Sequence, residues 1–159
     1  MFDILSKGLF EKLREEALKK DTSMEELIVE ILSKALNHTL DPSEKVELHL
    51  KLAEKFLREA EEFLAKGDYV QASEKGWGVA AQIVKAVAAK ENLELRSHAS
   101  LWEYLDKLAE KIQDVELRRL WWIANSLHQN FYENWMTPRD VKYAVEDVKK
   151  FMEKLLKLL

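Results

Sequence analysis

The sequence predicts an all-α chain, and three observations carry that prediction. Only four glycines and two prolines punctuate 159 residues, so the elements are few, long and joined by short turns. Charged residues make up 34% and hydrophobic ones 47%, the balance of amphipathic helices with solvated outer faces. Apolar residues recur at three- and four-residue steps along most of the chain.

Residues 1–7 hold the one candidate strand, a short one at 2–6. From Gly8 the pattern turns helical, with Leu9, Leu13 and Ala17 on one face. "KKDTSMEE" interrupts it. Ser23 with Glu26 then forms an S-x-x-E capping box, which satisfies orphan N–H groups at a new helix start. That helix carries Leu27, Ile28, Ile31, Leu32 and Ala35 on one side. Residues 1–38 therefore read as a two-helix arm, too small to bury a core alone. It must pack on the rest of the chain or on a second copy. Its interface candidates are Phe2, Ile4, Leu9, Leu13, Ile28 and Ile31.

"NHTLDPSEK" marks a boundary and opens a second domain at 42–159. Asp41 reads as an N-cap, Pro42 as the first helical residue and Glu44 as the third. Val46, Leu50, Ala53, Leu57, Ala60 and Leu64 then follow at bundle spacing. "KGD" ends that helix: Gly67 suits the left-handed position after it, and Asp68 caps the next with Gln71. So short a break forces the two helices antiparallel. The next helix, about Tyr69 to Lys90, carries Val70, Ser73, Trp77, Ala80, Ala81, Val84, Val87 and Ala88. Gly76 and Gly78 lie within it, read either as close approach of a neighbouring helix or as room for a ligand beside Trp77. "ENLELRSHAS" reads as a loop, with a capping box of Ser100 and Glu103 starting a helix on Leu101, Leu105, Leu108 and Ile112. Asp114 caps another through about Trp135. Thr137, Pro138 and Asp140 repeat the cap–proline–acid grammar before a last helix on Val141, Ala144, Val145, Val148, Phe151, Met152 and Leu155. The expectation is an antiparallel bundle of about five helices preceded by the two-helix arm, with no internal repeat.

Composition narrows the function classes. With no cysteine there are no disulfides or thiolate sites, and the charged start does not suit a signal peptide, so a cytoplasmic chain is expected. No window approaches 18 apolar residues, so no membrane association is expected. A net charge of −4 makes DNA a poor partner. The Lys/Glu richness fits a thermophilic protein. There is no H-E-x-x-H, no calcium-binding loop, no glycine-rich phosphate loop and no G-x-S-x-G elbow, so neither a metal nor a cofactor is expected.

The chemistry concentrates in "LRRLWWIANSLHQNFYENWMTPRD". Leu117, Leu120, Trp121, Ala124, Leu127, His128, Phe131 and Trp135 fall on one helical stripe. Asn125 and Tyr132 flank His128 along one edge of it. His128 reads either as a core-edge histidine or as a general base or substrate hydrogen-bonder, with Asn125 and Tyr132 positioning a ligand. Trp77, His98, Asn130 and Glu133 are further ligand- or nucleotide-binding candidates. His38 and His49 lack partners at useful spacing. Trp122 points off the stripe and suggests a second contact surface, where large aromatics are enriched.

"ASEKGWGVAAQIVKAVA", "SHASLWEYLDKL" and "ANSLHQNFYENWMTPRDVKYAVEDVKKFMEKL" resemble the PaREP-type archaeal repeat family, related to the HEPN superfamily of helical bundles. The resemblance covers about residues 42–159 and implies a HEPN-like bundle, usually dimeric. It also implies a ribonuclease or toxin–antitoxin setting, with an Arg followed by a His, four to six residues lying between them. This chain departs from that motif. Eight residues separate Arg119 from His128, Arg96 stands too close to His98, and no histidine follows Arg139. "FDILSKGLFEKLREEALKKDTSMEELIVEILSKAL" resembles a ribbon-helix-helix module, which dimerises through its strand; here that strand carries Asp3 where basic or neutral readers are usual.

The resulting expectation is a non-enzymatic homodimer, HEPN-like, acting by partner or ligand binding in a toxin–antitoxin or RNA-associated setting. One alternative is an altered ribonuclease or nucleotide-binding enzyme using Asn125, His128 and Tyr132. The other is a DNA-binding regulator of the ribbon-helix-helix type.

Overall fold

The computed structural model describes residues 2–159, and among them it forms seven α-helices and no strand. Two compact units divide the chain: the first ends at Asp41 and the second is Pro42–Leu159.

The first unit is a hairpin of α1 (Lys7–Lys19) and α2 (Met24–Ala35). Ser6 caps α1 by accepting from the Leu9 N–H at 3.2 Å. The capping box of α2 forms as expected: the Ser23 hydroxyl accepts from the Glu26 N–H at 3.1 Å, and the Glu26 carboxylate accepts from the Ser23 N–H at 3.2 Å. Leu9, Leu13, Leu27 and Ile31 line a shallow open groove between the two helices.

The strand expected at 2–6 is corrected. Phe2–Ile4 is a turn of 3-10 helix, closed by the Leu5 N–H donating to the Phe2 carbonyl at 3.0 Å. A lone strand has no ladder partner within one chain, and its backbone groups still need one. The turn satisfies part of that need locally, and the Phe2 ring meets Phe10 edge-on at 6.2 Å.

The second unit is a bundle of α3 (Pro42–Lys66), α4 (Tyr69–Lys90), α5 (His98–Lys111), α6 (Val115–Glu133) and α7 (Pro138–Leu156). The hub is α4, which packs against α3, α5, α6 and α7. Its sequence explains this. Small residues on several sides (Ala72, Ala80, Ala81, Ala86, Ala88 and Ala89) are all buried, and the polar edge of Gln71, Glu74, Lys75 and Lys85 is itself half-buried. The turn from α3 to α4 is left-handed at Gly67, with φ +75°. There the Asp68 N–H reaches back to the Phe63 carbonyl at 2.9 Å, closing a Schellman-type end, while Asp68 caps α4 through the Gln71 N–H at 3.1 Å. Asn92, Gln113 and Asn134 take the same left-handed role after α4, α5 and α6.

The two helical glycines admit neighbours. A Cβ on Gly76 would stand 2.8 Å from Leu127 Cδ1, and one on Gly78 would stand 2.9 Å from Phe56 Cδ2. Close approach of α6 and α3 therefore accounts for both, and neither leaves room for a ligand.

Two side-chain networks cross the core. Asn130 is fully buried; its amide donates to the Ser73 hydroxyl at 2.8 Å, and its carbonyl accepts from the Met136 N–H at 2.7 Å. The Ser73 hydroxyl in turn donates to the Tyr69 carbonyl at 2.7 Å, so every member of the chain is satisfied. His49 on α3 meets the buried Gln82 of α4, Nδ1 to Oε1, at 2.7 Å. Ion pairs join the helices at the surface: Lys154 bridges Asp114 at 2.9 Å and Glu116 at 2.8 Å, and Lys149 reaches Glu61 at 2.9 Å. No helix among the described residues is long and apolar enough to cross a membrane.

Candidate functional site

Three helices of the bundle converge on one group of rings. Trp77 comes from α4, His98 from the start of α5, and Trp121, His128 and Tyr132 from α6. The expected stripe of α6 is present: Leu117, Leu120, Trp121, Ala124 and Leu127 are buried, anchored by Asp114, which accepts from the Leu117 N–H at 3.1 Å. His128 and Asn125 follow the edge of that stripe and are half-buried, while Tyr132 one turn on is 65% exposed.

The ring geometry is specific. The His128 imidazole lies 4.7 Å from the Trp77 ring and is tilted from it by only 31°, close to a stacked pair. His98 meets Trp77 edge-on at 5.5 Å and His128 edge-on at 4.6 Å. Tyr132 meets His128 edge-on at 5.4 Å. Behind them Trp121 sits 5.0 Å from Trp77, 5.6 Å from Trp102 and 5.8 Å from Phe151, which ties the cluster into the core. The result is graded from a buried tryptophan floor through two half-buried imidazoles to an exposed phenol.

His98 owes its place to a correction in the cap. Instead of Ser100 with Glu103, the box is Ser97 with Ser100: the Ser97 hydroxyl accepts from the Ser100 N–H at 3.1 Å, and the Ser100 hydroxyl accepts from the Ser97 N–H at 3.0 Å. A serine at the third helical position serves here as Glu would in the usual box. The helix therefore starts three residues early, and His98 is its first residue rather than part of a loop. Opposite, at the start of the loop, the Tyr104 hydroxyl donates to Glu91 at 3.1 Å. Burial and the Glu91 carboxylate push the Tyr104 phenol above its ordinary range. Glu94 in the same loop is held down to about 2 by hydrogen bonds from Lys45 and Arg96.

The other candidates separate. Asn130 is spent inside the fold, as described above, and presents nothing to a ligand. Glu133 is exposed at the last position of α6. Trp135 was expected on the buried stripe; it is 55% exposed. The reason is that α6 stops at Glu133, Asn134 turns left-handed at φ 48°, and Asn130 captures Met136 instead. Met136, not Trp135, packs against the core. Trp122 is 62% exposed and meets the half-buried Trp102 of α5 edge-on at 4.7 Å, at the outer end of the ring series that runs through Trp121. Sequence spacing missed Ser73 and Gln82 as partners of Asn130 and His49, because each pairing joins helices distant in the chain.

Among curated proteins, none matches the chain. A crystal structure of a protein from Sulfolobus solfataricus is similar, with 30% sequence identity over 67% of this chain and 94% of that one, at a TM-score of 0.59. The model of the archaeal PaREP1/PaREP8 family matches residues 48–152, a span that holds Trp77, His98, Asn125, His128 and Tyr132. With two thirds of its length inside that match, the chain belongs to the archaeal PaREP1/PaREP8 family.

Proposed function

We propose that this chain is a non-enzymatic binding protein with a HEPN-like bundle, acting as a homodimer. The arm carries self-association, and the Trp77–His98–His128–Tyr132 cluster carries recognition, in a toxin–antitoxin or RNA-associated setting. The observation that supports this most is the cluster itself. Two imidazoles are held against a tryptophan face, with an exposed tyrosine ring beside them. Ring faces of this kind stack nucleobases, and imidazole N–H groups donate to base edges or phosphate. The arginine that the related nucleases place ahead of their histidine, with four to six residues between, has no counterpart before His128. Recognition without cleavage is what remains of that chemistry. Fluorescence anisotropy with a short single-stranded RNA tests this reading. Binding weakened about tenfold or more by His128→Ala and by Tyr132→Ala supports it, since stacking is worth about 1–3 kcal/mol per base. Affinity unchanged by both substitutions, or no affinity at all, sinks it.

One observation favours a second reading, an altered ribonuclease. His98 and His128 stand in ring contact at 4.6 Å. Acting as general base and general acid, the two imidazoles would take the proton of the RNA 2′-hydroxyl as its oxygen attacks the adjacent phosphorus, and give a proton to the departing 5′-oxygen. RNA cleavage abolished by either His98→Ala or His128→Ala would establish it.

A further inference from the structure

We propose that His98 and His128 form a binding site for a transition-metal dication, of which Zn²⁺ is the test case. A ring nitrogen of each lies within 4.8 Å of the other. Two imidazoles bound at about 2.0–2.1 Å stand about 3–4 Å apart around one ion. Both rings are half-buried, so a site shared by them is reachable from solvent. Imidazole suits Zn²⁺, Ni²⁺ and Cu²⁺, so the donor set matches the ion class.

The surroundings position these donors. His98 is fixed at the first position of α5 by the reciprocal Ser97–Ser100 cap, and His128 lies well within α6, so both donors sit on rigid elements. The Trp77 ring packs on the His128 face and against His98, which limits how far either imidazole turns. Two protein ligands leave the remaining coordination positions to water or to an oxygen of a bound anion. The ion therefore supplies a positive centre beside the exposed Tyr132 ring, in a protein of net charge −4. No spacing motif announces it, because the two histidines are thirty residues apart and meet only through packing of α5 on α6.

Isothermal titration of the full chain with Zn²⁺ alone, without RNA or nucleotide, tests the site independently of the RNA reading. The expected result is one saturable equivalent per chain. His98→Gln and His128→Gln should each lower the affinity by more than about tenfold, while the exposed His38→Gln leaves it unchanged. Imidazole NMR resonances of the unsubstituted protein guard against variants that misfold: those of His98 and His128 should shift together with Zn²⁺. Absence of saturable binding, binding that survives both substitutions, or shifts confined to His38 and His49 overturns the proposal.

Discussion

In the bundle, Leu117, Ala124, Leu127, Val141, Val148 and Phe151 are wholly buried; in the arm, Ile4, Leu9, Leu18, Ile31, Leu32 and Leu36 stand open to solvent, Ile4 at 88% and Leu36 at 73%. Both regions use amphipathic helices, serine or aspartate caps and left-handed stops. The difference is the number of helices available to cover an apolar face. In the bundle, α4 is small-sided and surrounded, so each stripe finds a partner. The hairpin of α1 and α2 has one inner face of its own, and within it only Ala17 and Leu27 are buried apolar residues. Helical grammar alone thus does not settle burial, and the exposed stripe of the arm is what motivates the self-association proposed for it.

That contrast can be broken from either side. The largest effect is expected at Trp121→Ala, where loss of a wholly buried indole should cost about 3–5 kcal/mol, read as a lowered denaturant midpoint. A loss under about 1 kcal/mol would mean that the bundle core is not where the stability lies. Next is Asn130→Ala, which leaves the Met136 N–H without its acceptor, while the Ser73 hydroxyl keeps its bond to the Tyr69 carbonyl; about 1–3 kcal/mol is expected for the group left unsatisfied. Gly78→Ala comes third. Its Cβ meets a rigid, buried Phe56 ring, an overpacking cost of about 1–3 kcal/mol that outweighs the roughly 1 kcal/mol gained in helix propensity. In the arm, Leu9→Glu with Leu32→Glu should leave the melting temperature almost unmoved while shifting sedimentation from dimer toward monomer; dimers that persist would refute the arm as the contact.

The smallest effect is the acid response. Hydrogen bonds from Lys45 and Arg96 depress the carboxyl of Glu94 to about 2, and Lys154 holds Asp114 below its usual value. Carboxylates depressed in the folded state contribute stability that is fully present above their unfolded values. That contribution fades as pH falls from about 4.5 toward 2. Both groups are partly solvated, so the loss should be modest and shrink further in salt. A midpoint that is flat across that window would show the pairs to be inert.

Much of this was legible in the residues. Ser23–Glu26, Asp68, Asp114 and Thr137–Pro138–Asp140 announce helix starts because capping is a local transaction between residues three apart. The buried stripe of α6, from Leu117 to Leu127, was likewise readable. What spacing does not carry is meeting across helices. Asn130 reads as a ligand-binding candidate from the sequence, whereas the structure pairs it with Ser73 of α4. Trp135 looked like core until Asn134 ended the helix one residue before it. The 2–6 segment has strand-like residues but no second strand, so its backbone closed on itself. His98 and His128 are ordinary half-buried histidines in one dimension and a ring-contact pair in three.

The central claim is that the cluster around His128 binds without cutting. Incubating wild-type protein with a labelled single-stranded RNA tests it most directly, with retention on the protein and strand length read from the same sample. The account predicts RNA that is retained and intact, with retention lost in His128→Ala. RNA shortened by the wild type and spared by His128→Ala would contradict it.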